Sequence, residues 1–260
     1  MNKWQNIDRQ RRINIIENIS NRTTLSPASI EKDWWVTITL RALFSCECAK
    51  HIVFKGGTSL SKAWNLIERF SEDIDIAIDR VFFGFEGELK RKQINNLRRA
   101  SCSYIKNKLK YEIDNKLKEA GITEYSIFVE ETQDSTKDPQ IIEVHYQSLF
   151  ASESYIADKV MVEIGARSLM EPSEDVRLRS LIAENYPDAD FADAEIAIPT
   201  VIPQRTFLEK AFLLHEEFQK PEASIRIDRM SRHLYDLERL YGYRFCTKSP
   251  RRHFAVQSHY

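Results

Sequence analysis

The chain has 260 residues, of which 42% are hydrophobic and 11% aromatic, so it can bury a core as one large or two modest domains. Its 38 basic and 39 acidic residues give a formal charge of −1, which excludes a bulk polycation and confines any nucleic-acid contact to local patches. Without a membrane-length apolar run, a signal peptide or a zinc or redox cysteine spacing, the sequence predicts a cytoplasmic protein with reduced cysteines and no membrane partner.

Predicted strands and helices alternate along most of the chain. The first clear helix spans residues 25–44, where Ser26 suits the N-cap and Pro27 the first turn. Periodicity then predicts, in chain order, a strand at 51–57, a helix at 59–70, a strand at 72–79, a long helix or helix pair at 87–120, and strands at 125–130, 141–146 and 159–165. A polar stretch at 171–203 separates these elements from a helical C-terminus.

This order of elements predicts an α/β (α+β) fold with a mixed sheet flanked by helices. We expect residues 1–200 to form the core with its N-terminal helices, and residues 201–260 to form a helical domain that completes a cleft.

Two aspartates alternate with isoleucines in the strand at 72–79. Because side chains at i and i+2 share a strand face, the isoleucines should face the core and Asp73 and Asp75 the other side. Adjacent carboxylates repel each other unless a cation lies between them, and such a pair suits Mg²⁺ bound together with substrate phosphates. A solvated face of an edge strand is the simpler alternative.

Two glycines end the preceding strand, and hydroxyl residues and a lysine follow them. Glycine lets backbone N–H groups approach an anion closely, and the residues that could hold phosphate here are Gly56, Gly57, Thr58, Ser59 and Lys62. The pattern is neither a Walker A loop nor a dinucleotide fingerprint, and an ordinary tight turn is the alternative. One helix between the turn and the acidic strand would bring the two together.

A third carboxylate would complete such a site. Glu163 alternates with apolar residues in the strand at 159–165, which places it on the face opposite the core. Glu143 has the same apolar flanks in the strand at 141–146, so it remains a rival, and either residue could simply be solvated.

The glycine turn, the paired aspartates and the later carboxylate together resemble the polymerase-β-like nucleotidyltransferase superfamily. The segments "FKGGTSLSKAW" and "RFSEDIDIAI" more closely resemble the AbiEii-type toxins of type IV toxin–antitoxin and abortive-infection systems. Residues 30–44 and the segments "FLEKAFLLHEEF" and "SRHLYDLERL" fit the same family, so the resemblance spans residues 30–240. It departs at His233, where a lysine or arginine is expected, and in the late start of the acidic motif.

The resemblance implies a polymerase-β-like core and a set of site residues. Asp73, Asp75 and Glu163 would bind Mg²⁺ or Mn²⁺, and Ser71 would join the glycine turn around the triphosphate of an NTP. Lys210 and Asp236 would complete the catalytic site from the helical part. Without the family, Lys210 would be a solvated helix residue and Asp236 a partner of Arg232 one turn away.

The implied activity is transfer of a nucleoside monophosphate from an NTP to an acceptor hydroxyl. RNA such as a tRNA 3′ end is the implied acceptor, and the implied role is a toxin with an antitoxin that need not form a stable complex. Basic clusters at 90–99, 106–110 and 249–253 could hold an RNA backbone if they lie beside the cleft. Two alternatives are an antibiotic-type small-molecule nucleotidyltransferase and a non-catalytic NTP-binding interaction protein of the same fold.

Overall fold

A computed structural model describes residues 3–69, 71, 73–132, 134–150, 157–167, 170, 172–226 and 230–242. The strands are β1 (Ile52–Lys55), β2 (Ile74–Ile78), β3 (Tyr125–Val129), β4 (Gln140–Tyr146), β5 (Lys159–Gly165), β6 (Ser173–Leu178) and β7 (Ile196–Val201). The longer helices are α1 (Arg9–Ser20), α2 (Pro27–Leu43), α4 (Arg91–Tyr104), α5 (Lys110–Glu119), α7 (Pro203–Phe218) and α8 (Ser231–Tyr241). Two shorter ones are α3 (Gly56–Thr58), which continues as a π-turn (Ser59–Ala63), and α6 (Leu181–Asn185).

The strands form one seven-stranded sheet in the order β3-β4-β5-β2-β1-β7-β6. The pairs β2–β5 and β1–β7 are parallel, and the other neighbouring pairs are antiparallel. The predicted mixed sheet flanked by helices is therefore confirmed. The last strand ends at Val201 and α7 begins at Pro203; the division into domains at residue 200 stays a prediction.

The main core lies on the face of the sheet that the isoleucines of β2 occupy. Ile74, Ile76 and Ile78 are buried there, in one cluster with residues of α1, α2, α4 and α5. Helix α2 begins as predicted, because the Ser26 side chain accepts a hydrogen bond from the backbone N–H of Ser29 and Pro27 is in the first turn. The confirmed alternation of β2 leaves Asp75 on the opposite face.

The predicted helix at 59–70 is wrong beyond its first turn. The π-turn ends at Ala63, and Asn65 adopts a left-handed conformation with φ of +52°. The Leu66 N–H then bonds to the Leu60 carbonyl oxygen at 2.8 Å, as in a helix cap. The chain thus returns to the sheet through a non-helical segment, and asparagine was the local signal for the stop.

The stretch at 171–203 contains two strands that the sequence did not predict. β6 is a polar edge strand that pairs antiparallel with β7, and β7 extends the sheet next to β1. Most residues of β6 are exposed, and Pro199 interrupts the strand pattern of β7. Both features hide a strand from periodicity rules.

The basic helical segment between Arg91 and Glu119 lies behind the sheet. It is continuous through a π-turn at Ile105–Leu109, and its apolar side joins the same core cluster as the isoleucines of β2. The basic clusters at 90–99 and 106–110 therefore flank the sheet face opposite Asp75, whereas 249–253 lies outside the described residues. Among the described residues, no helix combines the length and apolarity needed to cross a bilayer.

Candidate active site

The glycine turn and the acidic strand touch at Gly56. This residue has φ of +78°, and a Cβ atom added to it would lie 1.8 Å from Asp75 Oδ2. A side chain on Gly57 would lie 2.8 Å from Arg69 Nη2 and 2.9 Å from Ser71 Oγ. A side chain at Gly56 would displace the Asp75 carboxylate, and one at Gly57 would push the ends of the Arg69 and Ser71 side chains away from the turn.

Thr58 ties the turn to the start of the acidic strand. Its hydroxyl lies 2.5 Å from the Asp73 carbonyl oxygen and 2.9 Å from Ser71 Oγ. A carbonyl oxygen can only accept, so the Thr58 hydroxyl is the donor to Asp73, and the same hydroxyl contacts Ser71 Oγ. The Ser59 hydroxyl donates to the Gly56 carbonyl oxygen at 2.8 Å. The Thr58 and Ser59 hydroxyls therefore both have hydrogen-bond partners within the chain.

Carboxylates from β2, from the residue just before it and from β5 form an acidic wall. The wall consists of Asp73, Asp75 and Glu163, and Asp75 pairs directly with Glu163 in the parallel register. Burial, reinforced by the charge of Glu163, raises the pKa of Asp75 to about 7. Burial and the charge of Asp73 also raise the pKa of Glu163. Such mutual repulsion is the condition that a bound cation relieves.

The wall is not a preformed three-ligand metal site. Within the described part of the chain, no three His, Cys, Asp or Glu side chains are arranged to hold a metal ion. The predicted ligand set of Asp73, Asp75 and Glu163 therefore stays a prediction.

Glu143, the rival third carboxylate, already has two partners. Lys159 Nζ lies 2.5 Å from one carboxylate oxygen and His145 Nε2 lies 2.7 Å from the other. The hydrogen bond from Lys159 outweighs burial and lowers the pKa of Glu143. Glu143 does not line the cavity that contains the acidic wall, and this contrast favours Glu163.

A basic wall faces the carboxylates, and a buried aspartate holds it together. Arg69 donates through Nε to Asp236 Oδ1 at 2.7 Å and through Nη2 to Oδ2 at 2.6 Å. Lys210 Nζ of α7 lies 2.9 Å from the same Oδ2. Burial alone would raise the pKa of Asp236, but the hydrogen bond from Arg69 and the charge of Lys210 hold it below its usual value. The sequence-based alternative, a pair with Arg232, is not formed.

Two further arginines and a histidine extend the basic wall. Arg226 is fixed by the buried Glu217, which accepts from its Nε at 3.0 Å and its Nη2 at 2.8 Å. His233 lies 3.4 Å from Lys210 Nζ through Nδ1. Burial and the charges of Lys210 and Arg232 lower the pKa of His233 to about 4, so it is neutral at pH 7. A neutral ring tolerates this neighbourhood better than another cation would.

The two walls enclose one cavity of about 410 Å³. Its polar lining is Gly57, Arg69, Ser71, Asp73, Asp75, Glu163, Lys210, Arg226, Arg232 and His233. A small apolar cluster packs the segment after the glycine turn against α8; its residues are Leu60, Leu66, Ile67 and Leu240. This packing places the two walls opposite each other.

Lys62, a predicted phosphate-binding residue, lies away from the larger cavity. Its Nζ bonds to Asp33 Oδ1 of α2 at 2.5 Å and to the Arg179 carbonyl oxygen at 3.2 Å. Lys62 lines a neighbouring, smaller cavity of about 160 Å³, and Arg69 and Ser71 line both this cavity and the larger one. Gly57 and Ser71 are the members of the predicted nucleotide-binding set that line the larger cavity; the binding roles of the whole set stay predictions.

Sequence reasoning missed Arg69, Arg226 and Arg232 as cavity residues. Arg69 was within reach, because it lies two residues before Ser71 in the same motif segment. Its partner Asp236 is 167 residues away, and no local pattern indicates such a pair.

The cavity can hold a polyanion on its basic side and a cation on its acidic side, which is the charge distribution of a metal-bound nucleoside triphosphate. A family model described as nucleotidyl transferase AbiEii toxin, type IV TA system, matches residues 39–257. No curated protein matches the chain in a sequence comparison. The match covers most of the chain and both walls of the cavity, and the chain belongs to the nucleotidyl transferase AbiEii toxin family of type IV toxin–antitoxin systems.

Proposed function

We propose that the chain transfers a nucleoside monophosphate from an Mg²⁺-bound NTP to a hydroxyl of RNA, such as a tRNA 3′ end. The observation that carries the proposal is the single cavity in which Asp73, Asp75 and Glu163 face Arg69 and Lys210. Neither wall alone would suit the substrate, because a triphosphate needs cations around its oxygens and its metal needs carboxylates.

The acidic wall fits Mg²⁺ better than it fits a metal with an all-protein cage. Mg²⁺ commonly uses one or two carboxylates and completes its coordination with substrate phosphates and water. Asp73 and Asp75 would supply the carboxylates, and the high pKa of Asp75 reflects its burial and, after that, the repulsion from Glu163 that the ion would offset. When bound, the ion would polarise the α-phosphate and stabilise the attacking and leaving oxygens. Mn²⁺ would fit the same oxygen donors.

The residues of the chain perform the remaining tasks. The acceptor oxygen bonds to the α-phosphorus while the bond to the bridging oxygen of pyrophosphate breaks, and pyrophosphate leaves with the electron pair. Glu163, whose pKa is raised by burial and by the charge of Asp73, takes the proton of the acceptor hydroxyl. Lys210 lies on the opposite wall and offsets the charge on the leaving group.

The basic wall also favours a polyanionic acceptor over a cationic one. Arg226 and Arg232 extend the positive lining beyond the residues that would contact the triphosphate. An RNA end would be attracted to this lining, whereas an aminoglycoside-like cation would be repelled. As a member of a toxin family, the protein would inhibit growth through this modification, and a cognate antitoxin would counteract it.

The experiment is incubation with each α-labelled NTP, Mg²⁺, and total RNA or total protein. We expect label in RNA with wild type and with Glu143→Gln, and none with Asp75→Asn. Label in protein instead would overturn the RNA assignment but not the transferase. Folded wild type that labels neither fraction with any NTP would overturn the proposed function.

A further inference from the structure

The helical segment from residue 90 to residue 119 holds a concentration of positive charge that the cavity does not use. It carries ten basic and three acidic side chains, whereas the whole chain has a formal charge of −1, so the rest of the chain is net acidic. The apolar stripe of this segment joins the main core through Leu97, Ile105 and Leu109. Most of its charged side chains therefore lie on the solvent side.

The two halves of this segment differ in how their cations are paired. Three cations of the second half have carboxylate partners, in the pairs Lys108–Glu47, Lys116–Glu119 and Lys118–Asp114. Among the residues that the structure describes, five cations between residues 91 and 106 form no salt bridge: Arg91, Lys92, Arg98, Arg99 and Lys106. These five residues are called the basic ridge below.

The basic ridge runs along α4. Lys92 and Arg99 are exposed and lie seven residues apart, close to two helical turns, so they share one face of the helix. Arg91 and Arg98 repeat this spacing one position earlier. From Lys92 to Lys106 the ridge is about 20 Å long at a rise of about 1.5 Å per residue. Several successive phosphates of a nucleic-acid strand, about 3.4 Å apart along its axis, fit on this length.

The connection between β3 and β4 lies at the end of the sheet where the acidic wall is. Asp138 of this connection accepts a hydrogen bond through Oδ1 from the backbone N–H of Ala166 at 3.0 Å, three residues after Glu163. Lys137 and Glu130 of the same connection pair at 2.7 Å, and their charges act on the pKa of Glu163 after burial and the charge of Asp73. The connection is therefore close to the residue that would take the acceptor proton.

The same connection also reaches α4. Cys102 Sγ of α4 lies 3.5 Å from Oε1 of Gln140, the first residue of β4. Hydrogen bonds from Thr136 and, after them, the charges of Arg98 and Arg99 lower the pKa of Asp134. The basic ridge thus begins behind the sheet but comes to the same end of the sheet as the acidic wall.

We propose that the basic ridge is a docking surface for the phosphate backbone of an RNA whose 3′ end enters the cavity around this end of the sheet. That the docked RNA is the acceptor rests on the proposed function, but the affinity of the ridge for RNA does not. Cations without carboxylate partners bind phosphates and release the counterions of the RNA. A membrane surface fits less well, because the apolar side of α4 is buried and Asn96 and Ser103 lie on its exposed side.

The test is fluorescence anisotropy of a labelled RNA hairpin with a single-stranded 3′ end. The full chain is titrated without NTP or divalent metal over a series of salt concentrations. The ridge variant combines three exposed positions, Arg91→Gln, Lys92→Gln and Arg99→Gln. We expect it to bind about 10–100-fold more weakly at low salt. The slope of log K against log salt should become shallower by about 2–3, because each lost phosphate contact contributes about 0.7–0.9.

The matched control removes the same number of charges elsewhere on the surface. It combines Arg11→Gln, Arg22→Gln and Arg177→Gln, which are exposed and lie outside the ridge and the cavity lining. We expect the control to keep the wild-type salt slope. Circular dichroism and urea unfolding identify a variant that has lost its fold, and Arg99→Gln alone, with an expected slope change of about 1, replaces the ridge variant in that case.

The outcomes separate this proposal from the proposed function. Wild type that does not bind the hairpin, a folded ridge variant that binds it like wild type, or an equal loss in the control would overturn the docking surface. Ridge-dependent binding of polyglutamate or of anionic phospholipid vesicles as tight as that of the hairpin would overturn the assignment to RNA. Ridge-dependent RNA binding without transfer from any NTP would keep the docking surface and refute the transferase.

In active enzyme, the kinetics locate the ridge on the acceptor side of the reaction. The ridge variant should raise KM for the hairpin more than it lowers kcat, and it should leave KM for NTP unchanged. With an oligonucleotide too short to reach α4 from the cavity, the difference from wild type should disappear. A loss of the same size with the short oligonucleotide would show that the substitutions act through the fold and not through docking.

Discussion

The acidic wall and the basic wall of the cavity are built in different ways. Asp75 lies on β2 with Asp73 just before it, and Glu163 lies on the neighbouring β5 in direct register with Asp75. Arg69 and Lys210 come from a non-helical segment and from α7, and Asp236 of α8 joins them. Backbone hydrogen bonds fix the first wall, whereas a buried carboxylate fixes the second. The acidic wall should therefore tolerate changes in its surroundings better than the basic wall does.

The largest expected effect is the loss of an acidic-wall carboxylate. Asp75→Asn removes a charge that no other residue replaces, and we expect transfer to fall by about 1,000-fold, equivalent to several kcal/mol of transition-state stabilisation. Glu143→Gln, on the same face of the sheet but held by Lys159 and His145, should stay within a few-fold of wild type. An equal loss in both variants would show that the carboxylates act through the sheet and not through the cavity.

The contact between the glycine turn and the acidic wall should be nearly as sensitive. Gly56→Ala places a Cβ atom on the Asp75 carboxylate, so we expect a loss of about 100-fold in transfer from the displaced side chain. Gly84→Ala is the matched control, since Gly84 has φ of +77° with nothing within 4 Å of the added atom. Both variants should lose about 1–2 kcal/mol of stability from the left-handed backbone. Equal activity in the two would contradict the close approach at Gly56.

Lys62 and Lys210 are two predicted site lysines that the structure places differently. Lys62→Met breaks the buried pair with Asp33, so we expect it to lower the free energy of unfolding by about 3–5 kcal/mol. Its folded fraction should keep the wild-type KM for NTP. Lys116→Met, which removes an exposed pair with Glu119, should leave the midpoint of the same urea titration nearly unchanged. A raised KM for NTP in Lys62→Met would return Lys62 to the phosphate site.

The smallest effect is a pH dependence of stability that arises in the basic wall. The folded-state pKa of His233 is about 4, below its ordinary value of about 6.5. As the pH falls from about 6.5 to 4, the unfolded chain binds the proton first, so the stability should decline over this window. His233→Gln should flatten the decline, whereas His215→Gln, on the exposed side of α7, should leave it unchanged. Identical profiles would contradict the buried, neutral state of His233.

The sequence predicted the acidic wall because its signals are local. The alternation of Asp73 and Asp75 with isoleucines indicated the strand face directly, and Glu163 followed from the same rule. Their neighbouring register was not predictable, because β5 lies about 90 residues further along the chain and pairing depends on the whole sheet.

The sequence predicted less of the basic wall because its geometry is nonlocal. The resemblance indicated Lys210 and Asp236, but not that Asp236 clamps Arg69 across 167 residues. It also assigned Lys62 to the phosphates, although the buried Asp33 of α2 binds it. Charge pairs leave no periodic signal, so they become visible when the fold brings the partners together.

The most direct test of the two-wall account is a crystal structure with Mg²⁺ and an NTP analogue whose α–β bridge is a methylene group, which blocks transfer. We predict the ion on Asp73 and Asp75, and the β- and γ-phosphates between the glycine turn and the pair of Arg69 and Lys210. A nucleotide bound in the 160 Å³ cavity beside Asp33, or a triphosphate in the larger cavity without contact to either cation, would contradict the account.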